Sequence, residues 1–102
     1  MDIEKFQKLY KSNKIVWSTH GLSRMQERDI SIEDVSNCIL HGEIIEEYVE
    51  EPPAKSSALL FYKNNDRVIH VVLGIDDEQI YFVTAYIPNT DKFEEDLKIR
   101  RK

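Results

Sequence analysis

Three side chains between Thr19 and Asp29 have types and a spacing that could do chemistry. His20, Arg24 and Arg28 stand at i, i+4 and i+8. At about 100° per residue each four-residue step drifts by only about 40°, so on a helix all three project from one face. One imidazole and two guanidiniums in a row suit a phosphate, because arginines supply forked donors and histidine a proton near neutrality. The same stripe also fits a plain solvent-facing surface, with Glu27 and Asp29 near enough to pair with its arginines.

His70 is the second candidate. It interrupts Val68-Ile69-His70-Val71-Val72, which otherwise reads as a buried strand. An imidazole there costs desolvation unless it is hydrogen-bonded, so His70 is either a satisfied core residue or part of a site. Thr84 and Tyr86, two residues apart, share one face of a later strand. Whether His70 joins them depends on the hairpin between the two strands. An odd number of unpaired residues puts all three on one face, and the sequence leaves that number open. Other constellations are weak. Cys38 and His41 stand at i, i+3 with no second pair, so neither a metal nor a cofactor is expected. There is no glycine-rich phosphate loop, nucleophile elbow or dinucleotide fingerprint.

The elements that must position these groups follow from periodicity. Ile3, Phe6, Leu9 and Tyr10 mark an amphipathic helix over about 2–12. A second helix runs from Thr19 or His20 to Asp29, with Leu22 and Met25 as its anchor to the core. Ser31, with Asp34 three residues on, caps a third that carries Ile32, Val35, Cys38 and Ile39 and ends at Gly42. The period then changes. Glu43 to Glu50 is β-rich but heavily charged, as edge strands are, and Pro52-Pro53 breaks it. Strands follow over 58–62, 67–73 and 80–87, the last two apolar on both faces and therefore central. Short connections imply antiparallel hairpins. Thr90 is placed to cap a final helical turn with Phe93 and Leu97 facing inward. The expected fold class is α+β: N-terminal helices packed on a four-stranded antiparallel sheet, with a short C-terminal helical turn.

Composition bounds the rest. A chain of 102 residues with 41% hydrophobic and 32% charged residues suits one soluble domain spanning 1–102. A single cysteine, Cys38, excludes an intramolecular disulfide. No apolar run reaches the roughly 20 residues a membrane helix needs, and residues 1–6 lack an apolar signal core. A cytoplasmic location without a membrane partner is therefore expected. The net charge of −5 is unevenly spread: +2 over residues 1–30, −6 over 31–58, −2 over 59–90 and +1 over 91–102. One arrangement that fits is a basic pocket built from the two ends, with the acidic edge elsewhere.

The same residues carry a family resemblance. The segment from Thr19 to Ser31, with its His20, small Gly21, Arg24, Glu27-Arg28 and Ile30-Ser31, resembles the opening motif of the bacterial family called domain of unknown function 4258. Similarity continues through Gly42-Glu43-Ile44-Ile45-Glu46, Ile69-His70-Val71-Val72 and Thr84-Ala85-Tyr86-Ile87-Pro88, covering about 17–90. Members commonly have alanine where this chain has Gly21, and tryptophan where it has Phe93. The resemblance implies a fold similar to the barnase–EndoU–colicin–RelE group of metal-independent ribonucleases, many of them toxins of toxin–antitoxin pairs. It implies RNA and a cognate antitoxin as partners, the latter possible as a zinc-finger protein. Carried over, the site is His20, Arg24, His70 and Tyr86 as catalytic groups, with Arg28 and Thr84 binding substrate.

The expected function is thus a RelE-like toxin endoribonuclease that cleaves RNA by 2′-OH attack without a metal. His20 and His70 would exchange protons, Arg24 and Arg28 would stabilise the phosphorane, and Tyr86 would orient a phosphate or stack on a base. The rival expectation is a non-catalytic interaction module of the same fold that binds a protein by strand addition along Ile44–Val49. A third is an enzyme acting on another phosphate ester. The first requires His20, Arg24 and His70 to converge on one concave surface, with Tyr86 at its rim. Because His20 and Arg24 lie away from the apolar stripe, His20→Ala and Arg24→Ala should each change stability by no more than about 0.5 kcal/mol in thermal melts.

Overall fold

The structure, a computed structural model, describes residues 1–51 and 54–102; the proposed break at Pro52-Pro53 lies outside them. The elements are α1 (Ile3–Lys11), β1 (Ile15–Val16), α2 (Thr19–Glu27), α3 (Ile32–His41), β2 (Glu43–Tyr48), β3 (Ser56–Asn64), β4 (Arg67–Ile75) and β5 (Ile80–Tyr86). Each helix starts on a side-chain cap: Asp2 accepts from the Glu4 amide, Ser18 from Gly21, and Ser31 from Asp34. Asp34 answers by accepting from the Ser31 amide, completing a capping box that satisfies two otherwise orphaned donors. Among the described residues no helix is long and apolar enough to cross a membrane.

The fold is mixed α+β, but the sheet has five strands, in the order β1-β5-β4-β3-β2. Four of them form the expected antiparallel meander. The fifth, β1, pairs parallel to β5 through Ile15 with Ile80 and Val16 with Tyr81. Two residues are too few to show an alternating pattern, which is why the strand is invisible in the sequence. β2 occupies the far edge, as its charge suggested.

All three helices cover one face of the sheet. Phe6, Met25, Val35, Cys38 and Ile39 meet Leu60, Val71, Leu73, Ile80 and Ala85 there, and every one of these side chains is buried. Gly21 and Met25, rather than Leu22 and Met25, form the buried side of α2, and Leu22 is exposed. Gly21 sits so close to Phe82 that an added Cβ would lie 2.8 Å from its ring. Glycine at this position thus makes room for a large aromatic ring on β5.

Two β-bulges set the opposite face. In β5, Leu73 pairs with Phe82 but Val72 with Thr84, leaving Val83 over. In β2, Ile44 pairs with Leu60 but Glu46 with Leu59, leaving Ile45 over. Each extra residue reverses the alternation beyond it, because side chains along a strand switch faces at every step. Glu43 and Glu46 therefore both point away from the helices, as do Thr84 and Tyr86.

Residues 88–102 cover that second face. They form no helix: the expected helical turn is reduced to one isolated bond from the Phe93 amide to Asn89 O, at 3.3 Å, that does not continue. Instead the chain doubles back on itself: the Glu94 amide donates to Ile99 O, the Arg101 amide to Lys92 O, and Phe93 bridges to Arg100. Arg101 also donates to the Thr90 carbonyl, so Thr90 secures the end of this loop rather than starting a helix. Phe93 does face inward and is buried, and Leu97 is half-buried. Burying one phenylalanine is worth roughly 1.5–3 kcal/mol. Lys98 pairs with Glu43 at 2.6 Å and Arg100 with Glu46 at 2.9 Å, fastening the segment to β2.

Gly42, at the end of α3, has φ −88°, so it is not there to reach a left-handed conformation. A Cβ at this position would lie 2.4 Å from Cys38 O and 2.5 Å from Phe61 O, both backbone atoms that cannot rotate away. Gly42→Ala should therefore destabilise the protein by about 1–3 kcal/mol in urea unfolding, despite alanine's better helix propensity.

Candidate phosphate-binding pocket

His70 is the buried polar residue around which the site forms. Ile69 and Val71, its neighbours in β4, point into the helix-side core, so His70 points the other way. It is 0% exposed. Phe93 stacks edge-on against its ring at 4.7 Å, and Phe61 lies at 6.0 Å on the β3 side. Both ring nitrogens are satisfied: Nε2 lies 2.7 Å from Leu97 O and Nδ1 3.2 Å from the Tyr86 hydroxyl. Burial pushes the imidazole pKa below its usual 6.5, against an opposite pull from the Leu97 carbonyl.

The Val83 bulge answers the question that the hairpin left open. The β4–β5 connection has four residues between Ile75 and Ile80, an even number. Val83 supplies the odd one, so His70 pairs directly with Tyr86 and both share a face with Thr84.

Arg28 arrives from the other direction. It caps the end of α2, and its Nη1 donates to Thr84 Oγ1 at 3.1 Å and to Ala85 O at 2.8 Å. β1 ends opposite Tyr81, so β5 has no strand partner on that side from Phe82 onward. Arg28 satisfies part of this open edge.

Together these groups line an open pocket of about 520 Å³. Arg28, Lys92 and Arg100 supply cations; Thr84, Tyr86 and Asn89 supply neutral polar groups. Ile87, Pro88 and Phe93 are its apolar lining, and no carboxylate lines it. The basic pocket built from both ends of the chain is present. Its acidic counterpart, however, is not elsewhere: Glu46 holds Arg100 from behind with two hydrogen bonds, at 2.9 and 3.1 Å. The guanidinium keeps the Glu46 carboxyl below the usual carboxylate range, and the carboxylate raises Arg100 in turn. Arg28 and Lys92 have no ion-pair partner among the described residues, so they carry the pocket's net positive charge.

His20 and Arg24 take no part. Both are exposed on α2, and neither lines the pocket nor makes a side-chain hydrogen bond or ion pair among the described residues. The expected convergence of His20, Arg24 and His70 is not formed, because strand alternation turns His70 away from the layer that carries α2. Of the helical stripe only Arg28 reaches the site, since it stands where the helix ends and its side chain can cross to β5. Lys92 and Arg100 are missing from the sequence-derived set. Their sole signal was the positive balance of residues 91–102. Cys38, once weighed with His41, is a buried core thiol pushed up to about 12 by desolvation.

A family model described as Domain of unknown function (DUF4258) matches residues 17–87. The chain belongs to this family. Neither a curated protein nor a solved structure matches it. The part of this DUF4258 domain that the family model covers holds Arg28, His70, Thr84 and Tyr86. Lys92, Phe93 and Arg100 lie beyond it.

The lowered pKa of His70 predicts a pH dependence. The unfolded chain takes up the proton near 6.5 and the folded chain only at lower pH, so the unfolded state binds more protons between the two values. Stability contributed by neutral His70 is complete above 6.5 and falls as the pH drops through the window below it. The charged groups nearest the ring are Glu46 from β2 and Arg100 from the C-terminal segment, with Tyr86 from β5 as its hydrogen-bonding neighbour. The melting temperature should drop from about pH 7 to about pH 5. In His70→Gln, which has nothing to titrate there, the drop should be smaller.

Proposed function

We propose that this DUF4258 domain is an endoribonuclease of the ribonuclease-toxin type that holds a phosphodiester of RNA in the pocket of Arg28, Thr84, Tyr86, Lys92 and Arg100. The observation that carries the reading is the reversal of sign. A chain of net charge −5 gathers three cations and no carboxylate around one concavity, with two hydroxyl groups beside them. Arg28 and Lys92 neutralise the phosphate and the charge that develops as the ribose 2′-OH attacks phosphorus. No metal is required for this chemistry. His20 and Arg24 drop out as catalytic groups, and His70 stays in the reading through its hydrogen bond to Tyr86. An antitoxin that neutralises the protein would need only to cover the pocket mouth.

The free edge of β2 favours a second reading, the non-catalytic module. Among the described residues β2 pairs with β3 alone, and Tyr48 and Val49 at its end are 50% and 71% exposed. A partner strand could extend the sheet there.

One assay separates the two. Purified protein is incubated with labelled single-stranded RNA in chelator, with melting temperatures measured in parallel. Wild type should cleave, and Lys92→Ala should lower the rate by about a hundredfold at unchanged stability. His20→Ala and Arg24→Ala should stay near wild type. Loss of activity in His20→Ala with Lys92→Ala intact would return the site to the helical stripe. Cleavage abolished by chelator and restored by a divalent ion would contradict the mechanism. Wild type that neither binds nor cleaves RNA would leave the interaction module.

A further inference from the structure

The pair His70 and Tyr86 joins a closed-off imidazole to the wall of the pocket, and its proton order can be read from its partners. A carbonyl oxygen can only accept, so the 2.7 Å contact with Leu97 O places the imidazole proton on Nε2. A neutral ring has one N–H, so Nδ1 is bare and accepts the Tyr86 O–H. The phenol has no second proton. Tyr86 lines the pocket together with the donors Arg28, Lys92 and Arg100, and its oxygen keeps lone pairs that can accept.

The ligand that matches this array carries an anion for the donors and, beside it, a hydroxyl for the acceptor. A ribose 3′-phosphate, with its neighbouring 2′-hydroxyl, has that form. We propose that His70 is a positioning residue that holds Tyr86 as a hydroxyl acceptor, and that the pair selects a ribose 2′-hydroxyl next to a 3′-phosphate bound by Arg28 and Lys92. This rests on the pocket being the RNA site, and it names the base for that reaction. The 2′-O–H proton passes to the Tyr86 oxygen as the Tyr86 proton passes to His70 Nδ1. The freed oxygen pair forms the new bond to phosphorus, the bond from phosphorus to the 5′-oxygen breaks, and that oxygen takes a proton from water. The imidazolium keeps its Nε2–H on Leu97 O and returns the Nδ1 proton through Tyr86 to solvent.

A binding test on the full chain avoids dependence on turnover. Adenosine 3′-monophosphate and its 2′-deoxy analogue carry the same phosphate and have no ester bond to a following nucleotide to break. Calorimetry with wild type should show the ribonucleotide bound about fivefold tighter, the usual size of one net hydrogen bond. Tyr86→Phe removes the acceptor, and His70→Leu removes the nitrogen that takes the Tyr86 proton. Both should bring the ratio of the two affinities close to one. Should His70→Leu melt below the assay temperature, Tyr86→Phe alone carries the test. Equal binding of the two nucleotides by wild type, or an undiminished preference in a folded variant, would overturn the inference and leave the pocket as a phosphate site. Binding of neither nucleotide would overturn the pocket reading itself.

Discussion

A single buried imidazole organises the second face of this sheet. His70 lies in the central strand, where an unpaired polar group would cost several kcal/mol. Its two nitrogens can be satisfied only from outside β4. One finds the Leu97 carbonyl, the other the Tyr86 hydroxyl. The first bond seats residues 88–102 on the sheet, and the second orients Tyr86. With the segment seated, Phe93 is buried and Arg100 comes within reach of Glu46. The pocket is the space left between these consequences and the arginine that arrives from α2.

The wall formed by the C-terminal segment rests on contacts of unequal worth. The ion pairs of Lys98 with Glu43 and Arg100 with Glu46 involve half-exposed cations, and such pairs contribute about 1 kcal/mol or less. Phe93 and the buried hydrogen bond to Leu97 O hold more firmly. The ion pairs instead fix the azimuth of Arg100, whose cation also lies 4.8 Å over the Phe93 ring. Glu46 partly cancels the charge it positions. The pocket's uncompensated positive charge therefore rests on Arg28 and Lys92, while Arg100 shapes its side.

How much of this was legible in the sequence differs by kind of signal. Local signals were plain: Ser31 with Asp34 marked a capping box, and the charges of Glu43 to Glu50 marked an edge strand. His70 stood out as a polar residue in an apolar run. What could not be read was anything that depends on which element meets which. The helical stripe included Arg28, and the structure places it in the pocket wall. His20 and Arg24 lie outside the pocket, because spacing reports a shared face, not what that face looks onto. Lys92 and Arg100 sit in a segment with no periodicity, and only the fold shows that it lies against the sheet. β1 failed for a simpler reason, being two residues long.

The bulge at Val83 has a consequence of a different order. Which side of the sheet Tyr86 serves is a matter of parity: an even count from the hairpin would send its ring among the helices, and the odd count sends it to the pocket. The residue that sets the parity is itself half exposed and pairs with nothing across the strand. The identity of its side chain therefore matters little, whereas its presence matters a great deal. A conservative or even radical replacement of Val83 leaves the count intact, yet the loss or gain of one codon would exchange the two faces from there onward. The information that aims the site is stored in chain length at a position where composition carries almost none.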